Sequence, residues 1–341
     1  MTNPSDADRR GADAAPTATS VVIVNFNAGA VLQECILAVL PQARQVVVVD
    51  NASVAEGFES AVAMFADDPR VVIIRSERNR GFAAGCNLGI AACTEATILL
   101  LNPDSIVHPG ALPRLHEVLH ARPSTGMVGG YLVSTDGSEQ GGGRRAVPTP
   151  WRSAVRAFGL TRFARRWPRL FSDFYLHLEP LPEGPIPVEA ISGACMLVKR
   201  EALDAVGLLD EGYFLHCEDL DLCMRFHQSG WAVLFVPDAR VLHHKGACSH
   251  DRRIFVEWHK HRGMVRFYRK HFRHQYPAGL MVAVSLGVWL RFTAIVAIST
   301  LRAAPRACRR GAAWLASGGR RPGANLPVVI AGGAPTGSVA S

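Results

Sequence analysis

The sequence predicts an α/β fold in which a mostly parallel central sheet is flanked by helices. Runs of branched apolar residues recur in the first third of the chain, at 21–25 (VVIVN), 45–50 (QVVVVD), 71–75 (VVIIR) and 96–102 (ATILLLN). Helical stretches separate them at about 29–40, 54–66 and 82–93, and a further helix is expected from Pro109 to about Ala121. Strands that are apolar on both faces and alternate with helices are typical of a parallel sheet covered on both sides.

Composition divides the 341 residues into segments. Residues 1–19 lack an apolar core and are interpreted as a disordered leader, and residues 311–341 as a disordered tail. The α/β domain is expected over residues 20–250, with an irregular insertion at 134–187 that suits a lid or an acceptor-binding region. A strand, helix, loop, helix and strand series follows the insertion and ends near residue 246.

Residues 251–310 are predicted to form a helical, membrane-associating extension. Residues 252–276 are basic and aromatic, and residues 278–301 are apolar except for Arg291. An arginine near the middle of a span costs about 2.5–3.5 kcal/mol, which favours an in-plane or re-entrant helix over a single span. A helix packed on the protein's own surface stays open as an alternative. The formal net charge of +8 suits a nucleic acid, an anionic membrane surface or phosphate-bearing ligands alike. The basic segment is interpreted as bringing the catalytic domain to an anionic membrane surface.

Two classes of nucleotide-binding enzyme fit poorly. After the first strand the sequence reads NFNAGA without a G-x-G-x-x-G motif, and no G-x-x-x-x-G-K-[ST] loop occurs anywhere. These motifs carry the phosphate-binding backbone of dinucleotide enzymes and of P-loop enzymes.

Polar side chains follow the strands where open α/β sheets place their ligands. Asp50 and Asn51 end the second strand, and Asp50 suits hydrogen bonds to a base or ribose, with an Asx turn or helix cap as the alternative. Pro103 stops the fourth strand, which leaves Asn102 and Asp104 at its tip. Mg²⁺ or Mn²⁺ bridging a diphosphate needs such hard oxygen ligands, whereas an ordinary turn needs none.

A dense acidic cluster lies in YFLHCEDLDLCMR, where Glu218, Asp219 and Asp221 open a predicted helix. Acidic residues are favourable in a first helical turn, so a solvated helix start is the simple interpretation. The preceding apolar and aromatic residues favour a partly apolar cleft instead, where a carboxylate serves as a general base. The cluster also speaks against a nucleic-acid partner.

Taken together, these motifs resemble family 2 glycosyltransferases with the GT-A nucleotide-sugar-binding fold, and in particular bacterial rhamnosyltransferase-like members of cell-surface polysaccharide synthesis. The resemblance rests on the following stretches: VVIVNFN, VVVVDNAS, RNRGFAAGCNLGI, LLLNPDS, ISGACMLVKREALDAVGLLDEGYFLHCEDLDLCMR and VLHHKGACS. They cover roughly residues 20–250.

The resemblance implies a role for each matching position. Asp219 would be the catalytic base, and Glu218 and Asp221 would support it or touch the acceptor. Asp104 would bind the metal at the second acid of a D-x-D motif, with His243 as a further ligand; the first acid is replaced here by Asn102. The nucleotide-sugar-binding residues would be Asn25, Asn27, Asp50, Asn51, Arg80, Gly81, Asn87 and Asn102.

The implied activity is an inverting sugar transfer from a nucleotide-sugar, dTDP-rhamnose by preference, to a hydroxyl of a glycan or lipid-linked acceptor. Mg²⁺ or Mn²⁺ would be the cofactor, and no nucleic acid would be bound. The expected location is the cytoplasmic face of the inner membrane, held peripherally or by a re-entrant or single-span C-terminal segment. The alternatives are a non-catalytic membrane-surface binding protein and a nucleotidyltransferase.

Overall fold

The computed structural model describes residues 15–54, 57–244, 246 and 252–316, with residues 302–316 described by their backbone alone. Within this range the strands are β1 (Thr17–Asn25), β2 (Ala43–Asp50), β3 (Val71–Arg75), β4 (Thr97–Leu101), β5 (Ser105–Val107), β6 (Thr125–Val133), β7 (Arg144–Arg145), β8 (Ile186–Pro187), β9 (Ala190–Ile191), β10 (Cys195–Lys199) and β11 (Ala232–His243).

The helices of the same range are α1 (Ala30–Val39), α2 (Phe58–Ala63), α3 (Phe82–Ala91), α4 (Ala111–His120), α5 (Pro150–Ala157), α6 (Pro168–Phe171), α7 (Arg200–Val206), α8 (Glu218–Gln228), α9 (Arg253–His271) and α10 (Ala278–Ala316). Short 3₁₀ turns lie at Leu40–Gln42, Leu160–Phe163 and Leu176–Leu178.

The large sheet has the strand order β3-β2-β1-β4-β10-β6-β11-β5, and β8 also pairs with β11. Its first half is parallel, as predicted, from β3 through β2 and β1 to β4. The second half is mixed, because β10 runs antiparallel to both β4 and β6, while β6 and β11 are parallel. A small second sheet pairs β7 with β9 and ties the insertion to the main body.

Alternating strand residues supply two hydrophobic cores, one on each face of the sheet. Val21, Ile23 and Leu99 lie in the core under α1, α2 and α4. Val22 and Leu100 lie in the opposite core, against α3, α7, α8 and α9. This period of two is what a strand buried on both faces requires.

Helix α3 approaches the sheet closely through its glycines, as the sequence predicts. A Cβ atom on Gly85 would lie 2.6 Å from Cγ1 of Val24, and one on Gly89 would lie 2.4 Å from Cγ1 of Val22. Side chains at these positions would push the helix away from the sheet.

The element bounds differ from the sequence prediction at several places. β1 begins at Thr17, inside the segment interpreted as a leader, and helix α2 is shorter than the predicted 54–66. Strands β5 and β6 were not predicted, because three-residue β5 directly follows the proline turn and β6 contains neighbouring glycines that weaken a strand pattern. Residues 1–14 and 317–341, which hold most of the predicted leader and tail, lie outside the described residues.

The predicted extension is not separate from the α/β domain. Helix α9 places Phe267 and Tyr268 in the second core, together with Phe272, so the domain continues past residue 250. Met281 at the start of α10 is also buried there. The compact body of the protein ends at Phe292, and a second unit begins at Thr293.

The stretch Ala278–Leu301 of α10 is long and apolar enough to cross a membrane, with a mean hydropathy of 2.0. Only 6% of its most apolar window is buried, so it is not a core helix of the protein. This observation disfavours the alternative in which the helix packs entirely on the protein's own surface.

Candidate active site

Asp50 lies at the tip of β2, beside the tip of β1. Its Oδ1 accepts hydrogen bonds from Nδ2 of Asn25 at 2.9 Å and from Oγ of Ser53 at 2.5 Å, and its Oδ2 accepts from the Ser53 backbone N–H at 3.2 Å. The side chain therefore forms the local turn that the simple interpretation predicts. Its position at the carboxyl end of a parallel strand is also where such sheets bind nucleotides.

Asn27 and Phe26 follow the tip of β1. Asn27 adopts φ 56°, its backbone N–H donates to Oγ of Ser53 at 2.9 Å, and its Oδ1 accepts from the Val54 N–H at 2.9 Å. The guanidinium of Arg252 lies 5.3 Å from the centre of the Phe26 ring. A cation and an aromatic ring thus meet at the same sheet edge as Asp50.

Asn51 and Gly81 shape the loop before α3. Buried Asn51 donates to the carbonyl of Gly81 at 3.0 Å and accepts from the Arg80 backbone N–H at 3.0 Å. Gly81 has φ 89°, and a Cβ there would lie 2.4 Å from the carbonyl oxygen of Phe214. Only glycine fits this approach, which brings the α3 loop against the loop before α8.

Two of the predicted nucleotide-sugar-binding residues point to that same loop. Exposed Arg80 pairs with Glu211 at 3.4 Å. Asn87 donates to the Leu209 carbonyl at 2.9 Å and accepts from the Leu209 N–H at 3.1 Å. Asn87 therefore holds α3 against the loop at residues 209–211.

Asn102, Asp104 and His243 come together at the tip of β4, where β5 pairs with the end of β11. His243 Nε2 lies 3.1 Å from Oδ1 of Asp104 and 3.4 Å from Nδ2 of Asn102. Both Asp104 and His243 are buried. The structure thus assembles the three residues that the sequence associates with a metal.

A fourth residue, Gln140, orients the histidine. Its Nε2 donates to the His243 carbonyl at 3.2 Å, so its Oε1 faces Nδ1 of the ring at 2.6 Å and accepts the Nδ1 hydrogen. Nε2 of the neutral ring then carries a lone pair directed at a carboxylate oxygen. The Nε2 lone pair and the carboxylate oxygen repel each other unless the ring is protonated or a cation lies between them. His243 and Asp104 therefore fit as ligands of a divalent cation.

The protein would provide only part of a metal shell. Across the described residues 15–244, 246 and 252–316, apart from 55–56, no group of three or more His, Cys, Asp or Glu side chains gathers to hold a metal. A diphosphate and water would complete the coordination, as is usual for Mg²⁺.

Asp219 lies in the first turn of α8, partly buried. Its Oδ1 accepts from the Leu220 N–H at 2.7 Å, and its Oδ2 accepts from the Gly193 N–H at 3.1 Å and forms an ion pair with Arg145. Burial lowers the pKa of Arg145, but the charge of Asp219, together with smaller contributions from Cys223, Cys217 and Tyr175, raises the net pKa above its ordinary value. The carboxylate is thereby held in one orientation.

Glu218 is buried beside Asp219 and has a different environment. Its Oε2 has no hydrogen-bond partner among the described residues. Burial, and then the charge of Asp219, raise the pKa of Glu218 to about 8. At neutral pH Glu218 is therefore mostly protonated.

Asp221 is fully buried and contacts basic side chains of α8 and α9. Three nitrogen atoms lie close to its carboxylate oxygens: Nε of Arg225 at 2.9 Å, Nζ of Lys270 at 2.7 Å and Nε2 of His271 at 2.8 Å. Burial alone would raise its pKa, but these hydrogen bonds and charges hold the pKa well below its ordinary range. Its contacts join α8 to α9.

One short loop connects the two halves of the site. This loop consists of residues 192–194. The Gly193 N–H donates to Asp219, and the carbonyl of the following residue, Ala194, accepts from the Asn102 N–H at 3.1 Å. A Cβ on Gly193 would lie 3.4 Å from Cβ of Asp219, so the loop passes directly beside the base candidate. The Asn102–Asp104 turn and Asp219 are therefore positioned by adjacent residues of one backbone segment.

Sequence comparison decides the family. The sequence model described as Glycosyl transferase family 2 matches residues 20–207, more than half of the chain. The chain belongs to glycosyl transferase family 2. It is a glycosyltransferase that uses a nucleotide-sugar donor and a glycan acceptor, and neither a non-catalytic membrane protein nor a nucleotidyltransferase is favoured.

Characterised relatives and solved structures agree with this assignment. The chain is 32% identical over 240 residues to the N-acetylglucosaminyl-diphospho-decaprenol L-rhamnosyltransferase of Mycobacterium tuberculosis, covering 66% of this chain and 75% of the relative. It is similar in fold to a mannosyltransferase from Pyrobaculum calidifontis in complex with GDP-Man and Mn²⁺, with TM-score 0.51, 18% identity, and coverage of 92% and 85%.

A second structural likeness is to GalNAc-T7 with UDP, GalNAc and Mn²⁺, with TM-score 0.51 and 17% identity. This match covers 77% of the family 2 chain described here and 53% of the GalNAc-T7 chain. At such low identities the two likenesses show the fold alone, which is the GT-A nucleotide-sugar-binding fold with a C-terminal helical extension.

Four site residues of this family 2 glycosyltransferase were not found from the sequence: Gln140, Arg145, Gly193 and Arg252. Arg145 and Asp219 are 74 positions apart, and they meet because β7 pairs with β9 just before Gly193. Gln140 is 103 positions from His243. No local pattern marks such long-range contacts.

Proposed function

We propose that this protein is an inverting rhamnosyltransferase that moves L-rhamnose from dTDP-rhamnose to a hydroxyl of a lipid-linked glycan acceptor. The observation that carries the proposal is the loop at residues 192–194, which sets Asp219 beside the Asn102–Asp104 turn. A base and a turn suited to a divalent cation at one sheet edge are what a single displacement at a sugar diphosphate needs. The Mycobacterium tuberculosis relative is named for L-rhamnose transfer and a diphospho-decaprenol acceptor, which supports the sugar and the acceptor class.

In this mechanism Asp219 accepts the proton of the acceptor hydroxyl. The acceptor oxygen then bonds to the anomeric carbon, the bond from that carbon to the diphosphate oxygen breaks, and the nucleoside diphosphate leaves with the electron pair. Attack from the opposite side inverts the configuration. Oδ2 of Asp219 is engaged by Arg145 and Gly193, so the lone pair left on Oδ1 is the one directed to the hydroxyl.

Glu218 assists by remaining neutral. Because its pKa is about 8, it adds no second negative charge beside Asp219 at neutral pH. A charged Glu218 would raise the basicity of Asp219 but would also repel the diphosphate of the donor. Asp221, with its buried contacts to α9, is proposed to position the helix that carries Asp219.

Asp104, His243 and Asn102 are proposed to hold Mg²⁺ or Mn²⁺, with Gln140 fixing the ring of His243. When bound, the ion neutralises charge that develops on the departing diphosphate. Asp50 and the Phe26–Asn27 segment are proposed to face the base and ribose of the nucleotide, with Asn25 and Asn51 holding the two loops in place.

The location proposed for the enzyme is the cytoplasmic face of the inner membrane. The exposed apolar stretch Ala278–Leu301 supports membrane association, as a single span, a re-entrant helix or an in-plane helix. A lipid-linked acceptor would then be presented at the surface where the catalytic domain lies. No nucleic-acid partner is proposed.

Release of nucleoside diphosphate from dTDP-, UDP- and GDP-sugars tests this function, with acceptor lipids and with Mg²⁺, Mn²⁺ or EDTA. We expect turnover of dTDP-rhamnose that EDTA abolishes and that Asp219→Asn lowers by about 10²- to 10⁴-fold, the usual worth of a general base. Asp204→Asn, on the exposed side of α7, is the matched control and should retain the wild-type rate. Full activity of Asp219→Asn, or exclusive use of another donor, would contradict the proposal.

A further inference from the structure

The insertion carries a segment with an unusual composition, Pro150–Phe171, which includes α5 and α6. It contains six arginines and no aspartate, glutamate or lysine. Only Pro150 and Val155 of this segment are buried. The segment therefore contributes little to either hydrophobic core.

Large apolar side chains of the segment are exposed to solvent instead. They are Trp151 at 48%, Phe158 at 74%, Phe163 at 38%, Trp167 at 51% and Leu170 at 55% relative exposure. Exposed apolar side chains grouped in this way mark an interaction surface more often than isolated ones do.

The rings of this segment are held in place by one another. Phe171 lies 6.4 Å from Trp151, 5.8 Å from Phe163 and 6.2 Å from Trp167, measured between ring centres. Nε1 of Trp151 also donates to the Leu170 carbonyl at 2.7 Å. The cluster is thus a preformed aromatic surface.

The arginines divide into two groups. Arg152 pairs with Glu189 and Arg156 with Asp173, and these pairs anchor α5. Arg162, Arg165, Arg166 and Arg169 are exposed and have no acidic side chain within ion-pair distance among the residues that the structure describes. Arg162 and Arg166 lie over the rings of Phe163 and Trp167. We call these four arginines and the five exposed apolar side chains the arginine-aromatic surface.

Packing connects this surface to the apolar C-terminal helix. Oγ of Ser153 on α5 lies 2.7 Å from the hydroxyl of Tyr268 on α9. Trp258 of α9 in turn packs on Trp289 and Phe292 of α10, with ring centres 4.9 Å and 5.6 Å apart. The insertion and the first turns of the apolar helix therefore rest on the same helix, α9.

We propose that the arginine-aromatic surface docks on an anionic lipid bilayer. Arginines near such a surface are attracted to acidic headgroups, while tryptophan and phenylalanine rings insert at the boundary between headgroups and acyl chains. A nucleic acid would also attract the arginines. The connection to an exposed helix with a mean hydropathy of 2.0 favours the lipid. The inference goes beyond sugar transfer and does not depend on the donor or the acceptor.

The test measures partitioning of the full-length protein onto vesicles of phosphatidylcholine with or without about one-third phosphatidylglycerol. The surface variant replaces Arg162, Arg165 and Arg166 by Gln. The control replaces Arg44, Arg122 and Arg240, which are exposed elsewhere, by Gln and changes the net charge equally. We expect the surface variant to bind anionic vesicles at least roughly tenfold more weakly and the control to change by less than about twofold.

A second variant, Phe158→Ala with Trp167→Ala, tests the aromatic part with the charge unchanged. It should weaken vesicle binding while circular dichroism and the unfolding temperature stay those of the wild type. Equal binding losses in the surface variant and its control would overturn the proposal. So would loss of affinity for a single-stranded RNA of mixed sequence with vesicle binding unchanged. Nucleoside diphosphate release measured without vesicles separates a failure of this inference from a failure of the proposed transferase activity.

Discussion

At the scale of single residues, Glu218 and Asp219 show how position decides the charge of neighbouring acids. Asp219 receives two backbone N–H groups and the guanidinium of Arg145. Glu218, one position earlier, is buried with an oxygen that has no partner among the described residues. The same first turn of a helix therefore holds one carboxylate that is paired with a guanidinium and one that keeps its proton to about pH 8.

Replacing Glu218 by Gln should stabilise the protein, and more so at higher pH. The folded-state pKa of about 8 lies above the ordinary value of 4.5. Between these values the folded protein keeps a proton that the unfolded chain has released, so the free energy of unfolding of the wild type falls as pH rises. Glutamine is neutral throughout and lacks this penalty. Its advantage should grow by roughly 3–4 kcal/mol from about pH 5 to about pH 8, since each pH unit between the two pKa values is worth about 1.36 kcal/mol.

Denaturant unfolding of both proteins across this pH range measures the effect. Glu34→Gln, at an exposed position of α1, serves as the control and should follow the wild type at every pH. A Glu218→Gln difference that is independent of pH would show that the carboxyl group ionises in the folded protein as it does in water.

At the scale of elements, helix α9 has two faces that the sequence does not separate. Its composition predicts a basic membrane-binding helix, and its exposed arginines fit that prediction. Its other face lies in the second core and holds α8 through the contacts of Lys270 and His271 with Asp221. Gly263 lets the helix approach the loop before α8, because a Cβ there would lie 3.0 Å from the His216 carbonyl oxygen.

We expect Asp221→Asn to act on stability more than on chemistry. The substitution leaves Arg225, Lys270 and His271 without their shared buried carboxylate, and breaking a buried pair of this kind costs about 3–5 kcal/mol. Urea unfolding measures the loss. Initial transfer rates well below the unfolding temperature should stay within about threefold of the wild type, because Asp221 contacts Arg225, Lys270 and His271, whereas Asp219 contacts Gly193 and Arg145.

Asp210→Asn provides the comparison, since Asp210 contacts the same Lys270 but pairs near the surface. It should cost no more than about 1 kcal/mol. If Asp221→Asn instead left stability unchanged and abolished transfer, Asp221 would belong to the catalytic machinery that the family resemblance implied.

The parts of the site that the sequence predicts either follow a strand directly or, as in the acidic cluster of Glu218, Asp219 and Asp221, open a helix. Asp50, Asn102 and Asp104 end buried apolar runs, and parallel strands bring such ends to one edge. The antiparallel strand β10, inserted between β4 and β6, is invisible to that reasoning because its pairing depends on residues far away in the chain. Arg145 enters the site through the separate pairing of β7 with β9, and Gln140 through its contacts with His243 on β11. No local motif marks these long-range contacts.

At the scale of the whole molecule, two different surfaces favour a membrane. The arginine-aromatic surface is charged and depends on electrostatic attraction, whereas the exposed face of α10 is apolar. Both are carried by elements that pack on α9, and α9 itself belongs to the core of the catalytic domain. Deleting the chain from residue 252 onward would therefore unfold the domain, so membrane binding has to be examined by substitutions in the full chain.

The two surfaces predict different responses to salt. Val282, Leu286 and Leu290 are 59%, 65% and 71% exposed on α10, so replacing them by Ser should leave the unfolding temperature close to that of the wild type. The wild type should remain on anionic vesicles in about 1 M salt, because apolar burial is not screened, whereas electrostatic attraction then extends only about 3 Å. The serine variant, left with the arginine-aromatic surface, should bind at low salt and dissociate at high salt.

Ser substitutions at Leu37, Met64 and Leu208, which are exposed elsewhere, should leave salt resistance intact. Vesicle sedimentation across a salt series distinguishes these cases, and a serine variant as salt-resistant as the wild type would mean that α10 does not contribute to the attachment.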